Sequence, residues 1–143
     1  DVNWSHWWLQ VLMAGAGAGI TEEILFRGIL FRIAEEFAGT WIAAAFSGLI
    51  FGLVHLTNPD ATIWGATAIA LEAGVLFGLL YAFTRSLWIV IGFHAAWNIV
   101  QGPVLGVVVS GTGDVIEPDL PRERNAVILG VVGLFLFGTI FFR

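Results

Sequence analysis

A chain of 143 residues that is 58% hydrophobic and only 12% charged is not an ordinary soluble domain, which would carry about twice that charged fraction. All six basic residues are arginine and the net charge is −5, which argues against a nucleic-acid partner. There is no cysteine, so a disulfide framework, a thiolate metal site and a cysteine nucleophile are excluded.

Mean hydropathy of +0.88, with seven Trp and twelve Phe, predicts an all-α, polytopic transmembrane helix bundle, one domain over residues 1–143. The chain opens on "DVNWSHWW", with no basic n-region and no initiator Met. It is therefore expected to be a fragment of a longer polypeptide with further spans upstream.

The first apolar stretch runs from Trp4 to Ala34, too long for one ordinary span. It is expected as one tilted helix or as two pieces broken at its glycines. The second, Phe37 to Leu56, has the length of a span and stops at "TNPD", where Asn58-Pro59 is a turn signal. The third covers Ala61 to Phe83 and is closed by "TRS". The fourth, "SLWIVIGFHAAWNIVQGP", is short and ends before Pro103. A polar loop, "SGTGDVIEPDLPRERN", precedes the last stretch, Ala126 to Phe142. Glycines recur four apart at Gly15 and Gly19, Gly48 and Gly52, Gly74 and Gly78, and Gly102 and Gly106. In lipid such spacing lets helices approach closely, which is a packing role.

The conspicuous polar residues inside the apolar stretches are Glu22, Glu23, Arg27, His55, Glu72, His94 and Asn98. Ionisable groups at membrane depth usually face a bundle interior or a watered cavity. With side X defined by Glu35 and Glu36 and side Y by "TNPD", helical rise puts Glu22 roughly 20 Å and His55 roughly 25 Å from side X. His94 falls roughly 12 Å and Asn98 roughly 18 Å from the same side. Convergence near the side Y half is allowed. Glu23 and Arg27 are an i, i+4 pair in the favourable order, whereas Glu22 is turned by about 100° and is free to point elsewhere. His94 and Asn98 share a helix face.

Each residue also has a plain structural reading. Thr21 could cap a helix whose first turn carries Glu22 and Glu23. His55 could be interfacial, and His94 with Asn98 could be interhelical glue. Glu72 is read as a structural, proton-sharing carboxylic acid. Together, at compatible depths, the others make a site. A carboxylate and a histidine sharing a water form a general-base pair. A second histidine with an asparagine can donate to a developing oxyanion. The same Glu, His, His set could instead hold a divalent metal such as zinc, although there is no H-E-x-x-H. "GTGD" at Gly111 to Asp114 lacks the Tyr-Asp partner of intramembrane aspartyl proteases, and "FSGL" around Ser47 is not a nucleophile elbow.

"EEILFR" (Glu22 to Arg27), "FGLVH" (Phe51 to His55) and "HAAWN" (His94 to Asn98) resemble, in order, the E-E-x-x-x-R, F-x-x-x-H and H-x-x-x-N motifs of one family. This is the CAAX prenyl protease and bacteriocin-processing family of intramembrane glutamic proteases, also called the Abi or type II CAAX endopeptidase family. The resemblance covers about Gly19 to Gln101. It implies a multi-pass integral membrane endopeptidase that cuts a peptide or protein substrate, lipidated in the eukaryotic branch, within the lipid bilayer. By similarity Glu22 is the general base, His55 helps to bind and polarise the water, and His94 and Asn98 form the oxyanion site. Glu23 and Arg27 match the motif as a supporting ion pair. The implied chemistry is cofactor-free, with a metal-dependent version as the alternative, and the cavity opens toward the cytoplasm at side Y. A non-catalytic immunity or scaffold protein is the competing reading.

Overall fold

The computed structural model describes residues 4–59 and 61–100, and these are helical almost throughout with no strand among them. The stretch Ala126 to Phe142, the polar loop before it, the "GTGD" match and the Gly102 and Gly106 pair lie outside the described residues, so the single domain expected over 1–143 is described only in part.

Helix α1 runs unbroken over Trp7–Ala38. The glycines do not split it, because lipid offers no water to satisfy an opened backbone. Two wider π-helical stretches, Val11–Gly17 and Ile24–Phe31, take up the irregularity instead. The helix ends at Gly39, whose positive φ of 82° is one that glycine adopts without strain.

Helix α2 occupies Thr40–Thr57 and tightens into a 3₁₀ turn over its last residues, His55–Thr57. Helix α3, Ile63–Thr84, starts behind Thr62, whose hydroxyl accepts the Gly65 N–H at 3.0 Å as an N-cap. It too contains a π-helical stretch, Ala70–Val75. Helix α4, Leu87–Ile99, is shorter than a full span. The helices α1, α2 and α3 are long and apolar enough to cross a membrane.

Small residues set how closely the helices pack. A Cβ on Gly74 would lie 2.6 Å from the Gly48 Cα, and one on Gly52 2.5 Å from the Ala66 carbonyl oxygen. Backbone therefore meets backbone where α2 crosses α3. Gly19 does the same for α1 and α4, with a virtual Cβ 3.1 Å from the Ala95 nitrogen. Toward side X the core is closed by Phe31, Ala43, Ala44, Phe77, Tyr81 and Val90. Phe31 and Tyr81 meet edge to face at 5.6 Å. Because lipid tails are as apolar as these side chains, packing rather than water exclusion holds the helices together.

Side X is tied by a polar clamp. Arg85 donates to both Glu35 oxygens at 2.6 and 2.9 Å, and Thr40 donates to Glu35 at 2.7 Å. The hydrogen bond to Glu35 raises the Arg85 pKa further. Large aromatics mark both ends of the bundle. Phe37, Trp41, Phe83 and Trp88 are 77–86% exposed at side X, and Trp64 is 78% exposed at side Y. Trp64 and Phe83 lie about 28 Å apart by helical rise, close to the roughly 30 Å of a hydrocarbon core flanked by aromatic belts.

Candidate active site

The site grows from the middle of α1. Glu23 and Arg27 are both 0% exposed, and Arg27 Nη1 donates to Glu23 Oε1 at 2.9 Å. Burying two charges is costly unless further partners compensate. Arg27 finds them on α3: Nη2 donates to the carbonyls of Ala73 at 2.9 Å and Gly74 at 2.8 Å, within the π-helical stretch. Its guanidinium also lies 4.8 Å from the centroid of Phe51 and 5.4 Å from that of Phe77, a desolvated cation between two rings. One arginine thereby joins α1, α2 and α3.

His94 on α4 completes the network. Its Nδ1 is 2.7 Å from Glu23 Oε1, the oxygen already held by Arg27. Its Nε2 faces the neighbouring carboxylate, 3.8 Å from Glu22 Oε2, a separation too long for a direct hydrogen bond. Glu23 Oε1 already accepts from Arg27, so it is an acceptor here and the hydrogen in the shorter contact sits on Nδ1. Nε2 is then the atom that looks toward Glu22. The Phe77 ring packs 4.9 Å from the imidazole and fixes its plane. Glu23 Oε2 and Arg27 Nε are buried with no partner among the described residues.

The same logic applies to His55 at the end of α2. Its Nδ1 is 2.7 Å from the Phe51 carbonyl, which only accepts, so Nδ1 carries the hydrogen, and in the neutral imidazole Nε2 then keeps its lone pair. The imidazole leans on the Phe51 ring, centroids 4.6 Å apart, and stays half-buried. The Phe51 ring also meets Phe26 at 4.9 Å and His94 at 6.0 Å.

Glu22, Glu23, Arg27 and His94 are thus brought into one cluster. Asn98 is buried one turn beyond His94 on α4. His55 is joined to the cluster through Phe51, and among the described residues it forms no ion pair with Glu22. Glu72 stays outside: it is half-buried beside Ala73 and makes no hydrogen bond or ion pair among the described residues. Helical rise placed His94 several ångströms nearer side X than Glu22. The contact between them shows that rise along helices that are not parallel is no common depth scale.

Three residues of this network were not legible as such. Phe77 contacts both His94 and Arg27 but sits in an ordinary apolar run. The Ala73 and Gly74 acceptors are backbone atoms, which carry no side-chain signature; the only hint was the small-residue spacing at Gly74. Among the described residues no group of three or more His, Asp or Glu side chains is assembled to hold a metal ion.

Comparison with known proteins gives the family. The model of the family described as "Type II CAAX prenyl endopeptidase Rce1-like" matches residues 4–100, and the chain belongs to that family. It is also similar to a Bacillus subtilis (strain 168) protein named "Putative membrane peptidase YdiL", with 31% identity over 128 residues. That alignment covers 90% of this chain and 47% of the relative, so the chain spans about half the length of the curated protein it matches. No solved structure matches it. Family and apolar helices together make this a membrane protein.

Proposed function

We propose that this chain carries the catalytic centre of a multi-pass intramembrane endopeptidase that hydrolyses a peptide bond without a covalent enzyme intermediate. The observation that carries the reading is His94, suspended between two adjacent carboxylates, 2.7 Å from Glu23 and 3.8 Å from Glu22.

The two carboxylates divide the work. Glu23 is neutralised by Arg27 and spent on His94, so it cannot take a proton from water. Glu22 is partly exposed with no arginine of its own and acts as the general base. A water bound between Glu22 and the Nε2 lone pair of His55 gives one proton to Glu22 as its oxygen attacks the carbonyl carbon. The resulting oxyanion is met by His94 Nε2–H and the Asn98 carboxamide. Because Nδ1–H is already donated to Glu23, donation from Nε2 requires the imidazolium. With it, the charges of Glu22, Glu23, Arg27 and His94 sum to zero, which suits a buried cluster. When the tetrahedral intermediate collapses, Glu22 returns the proton to the leaving amine and the peptide bond breaks.

The substrate is a peptide or protein reaching the bilayer, with a lipidated tail as the favoured class from the family. The cavity opens at side Y, toward the cytoplasm. The test is cleavage of fluorogenic peptides, prenylated and plain, by the purified membrane protein in detergent. Cleavage by wild type that falls by about 10²–10⁴-fold in Glu22→Gln, the usual worth of a general base, supports the reading. A fully active Glu22→Gln overturns it.

A further inference from the structure

The crossing of α2 and α3 has two sides. Phe51, Ala73 and Phe77 face inward to the site. On the outer side lies a crevice of about 310 Å³ whose floor is Gly52, Ala66 and Ala70 and whose walls include Leu49, Leu53 and Leu71. The floor is the line of closest helix approach: a Cβ on Gly52 would stand 2.5 Å from the Ala66 oxygen and 2.6 Å from the Ala70 Cβ. No open route joins crevice and site through such a contact.

What could occupy it is limited by chemistry. Its one side-chain polar group is the Thr67 hydroxyl, which is spent on the Ile63 carbonyl at 2.8 Å. A peptide backbone entering at membrane depth would find no partner for its N–H and C=O groups, which is prohibitive in hydrocarbon. A helix is about 10–12 Å across with its side chains, so it could lie over the mouth but not enter. A hydrocarbon chain needs no hydrogen bonds. The crevice also has a matching length, since its lining runs from Ile63 to Val75, about 18 Å by helical rise. That is close to one leaflet of a roughly 30 Å hydrocarbon core. It begins beside Trp64, the exposed aromatic of side Y, where a lipid's ester region would lie.

We propose that this crevice binds one acyl chain of a glycerophospholipid in the side Y leaflet, as a lipid site on the back of the catalytic pair of helices. The inference rests on the membrane placement and not on peptidase activity.

The test reconstitutes the full protein in nanodiscs of phosphatidylcholine carrying a mid-chain diazirine, followed by photolysis and peptide mapping. Adducts at Leu49, Leu53 and Leu71 are expected to exceed severalfold those at Leu25, Ile33 and Ile89, which are equally exposed on other faces. They should also survive transfer into excess unlabelled lipid. Ala45→Phe with Thr67→Phe fills the crevice and should abolish its adducts while those at Ile89 remain; Thr67→Leu alone should lower them if the double variant fails to fold. Equal labelling of all faces would mean ordinary annular lipid and overturn the site. Labelling of the other faces with none in the crevice would mean that protein covers it, and would overturn it equally. No adduct on any face would overturn the membrane placement itself.

Discussion

His94 Nδ1 and Arg27 Nη1 converge on a single oxygen, Glu23 Oε1, at 2.7 and 2.9 Å. The carboxylate that looked like simple support for an arginine is therefore also the group that orients the histidine. Its neighbour Glu22 stays partly exposed, 3.8 Å from the other imidazole nitrogen.

Glu23→Gln is expected to leave Arg27 buried without a counter-charge, and breaking such a pair costs about 3–5 kcal/mol. Thermal unfolding in detergent should show a large loss of stability together with lost cleavage. The double variant Glu23→Leu with Arg27→Met removes both charges and should regain most of the stability but not the activity. Regained activity would show that His94 needs no carboxylate behind it.

Asn98→Ala should lower kcat by about 10²–10³-fold, the usual worth of one oxyanion donor, with KM little changed. Steady-state kinetics on the best peptide separate the two. A raised KM with unchanged kcat would instead make Asn98 a substrate-binding group.

The glycines predict opposite outcomes at two positions. Gly74→Ala drives a Cβ to 2.6 Å from the Gly48 Cα, backbone that cannot yield, so the α2–α3 pair should separate and the protein melt early. Gly28→Ala meets the Leu87 Cδ2 at 3.5 Å and the Glu23 carbonyl oxygen at 3.8 Å, both ordinary contacts. It should be neutral to stabilising by up to about 1 kcal/mol, the helix-propensity difference. Melting curves of both variants check the pair.

Arg85→Gly removes the exposed bidentate pair with Glu35, worth at most about 1 kcal/mol. It also relieves the left-handed φ of 53° at Arg85, a strain of about 1–2 kcal/mol. Stability should therefore change little, and cleavage should not change, because Arg85, Glu35 and Thr40 bond to one another and to none of the clustered residues. A variant that is stable but inactive would show that side X is coupled to catalysis.

The proposed chemistry uses no metal, so cleavage should persist after exhaustive chelation and dialysis. Activity that disappears and returns with zinc would favour the metal-dependent version of the same peptidase.

Much of the architecture was legible because lipid leaves the chain few options. The boundaries of α2 and α3 fall within a few residues of the apolar stretches, since both are marked by composition. The pairing of Glu23 with Arg27 follows from i, i+4 spacing within one helix. The continuity of α1 was left open, because glycines that break helices in water are held helical where the backbone has no other partner.

The amino-acid sequence by itself determined the membrane class, the helices and the set of residues with chemistry to offer, because hydropathy, period and charge are local properties. Which carboxylate meets His94, 71 residues away, and which backbone carbonyls receive Arg27 were decided only by tertiary structure. Glu22 and Glu23 are the same chemical group on adjacent residues. They differ in what surrounds them: Glu23 is buried against Arg27 of its own helix and His94 of α4, whereas Glu22 is partly exposed and meets His94 only at 3.8 Å.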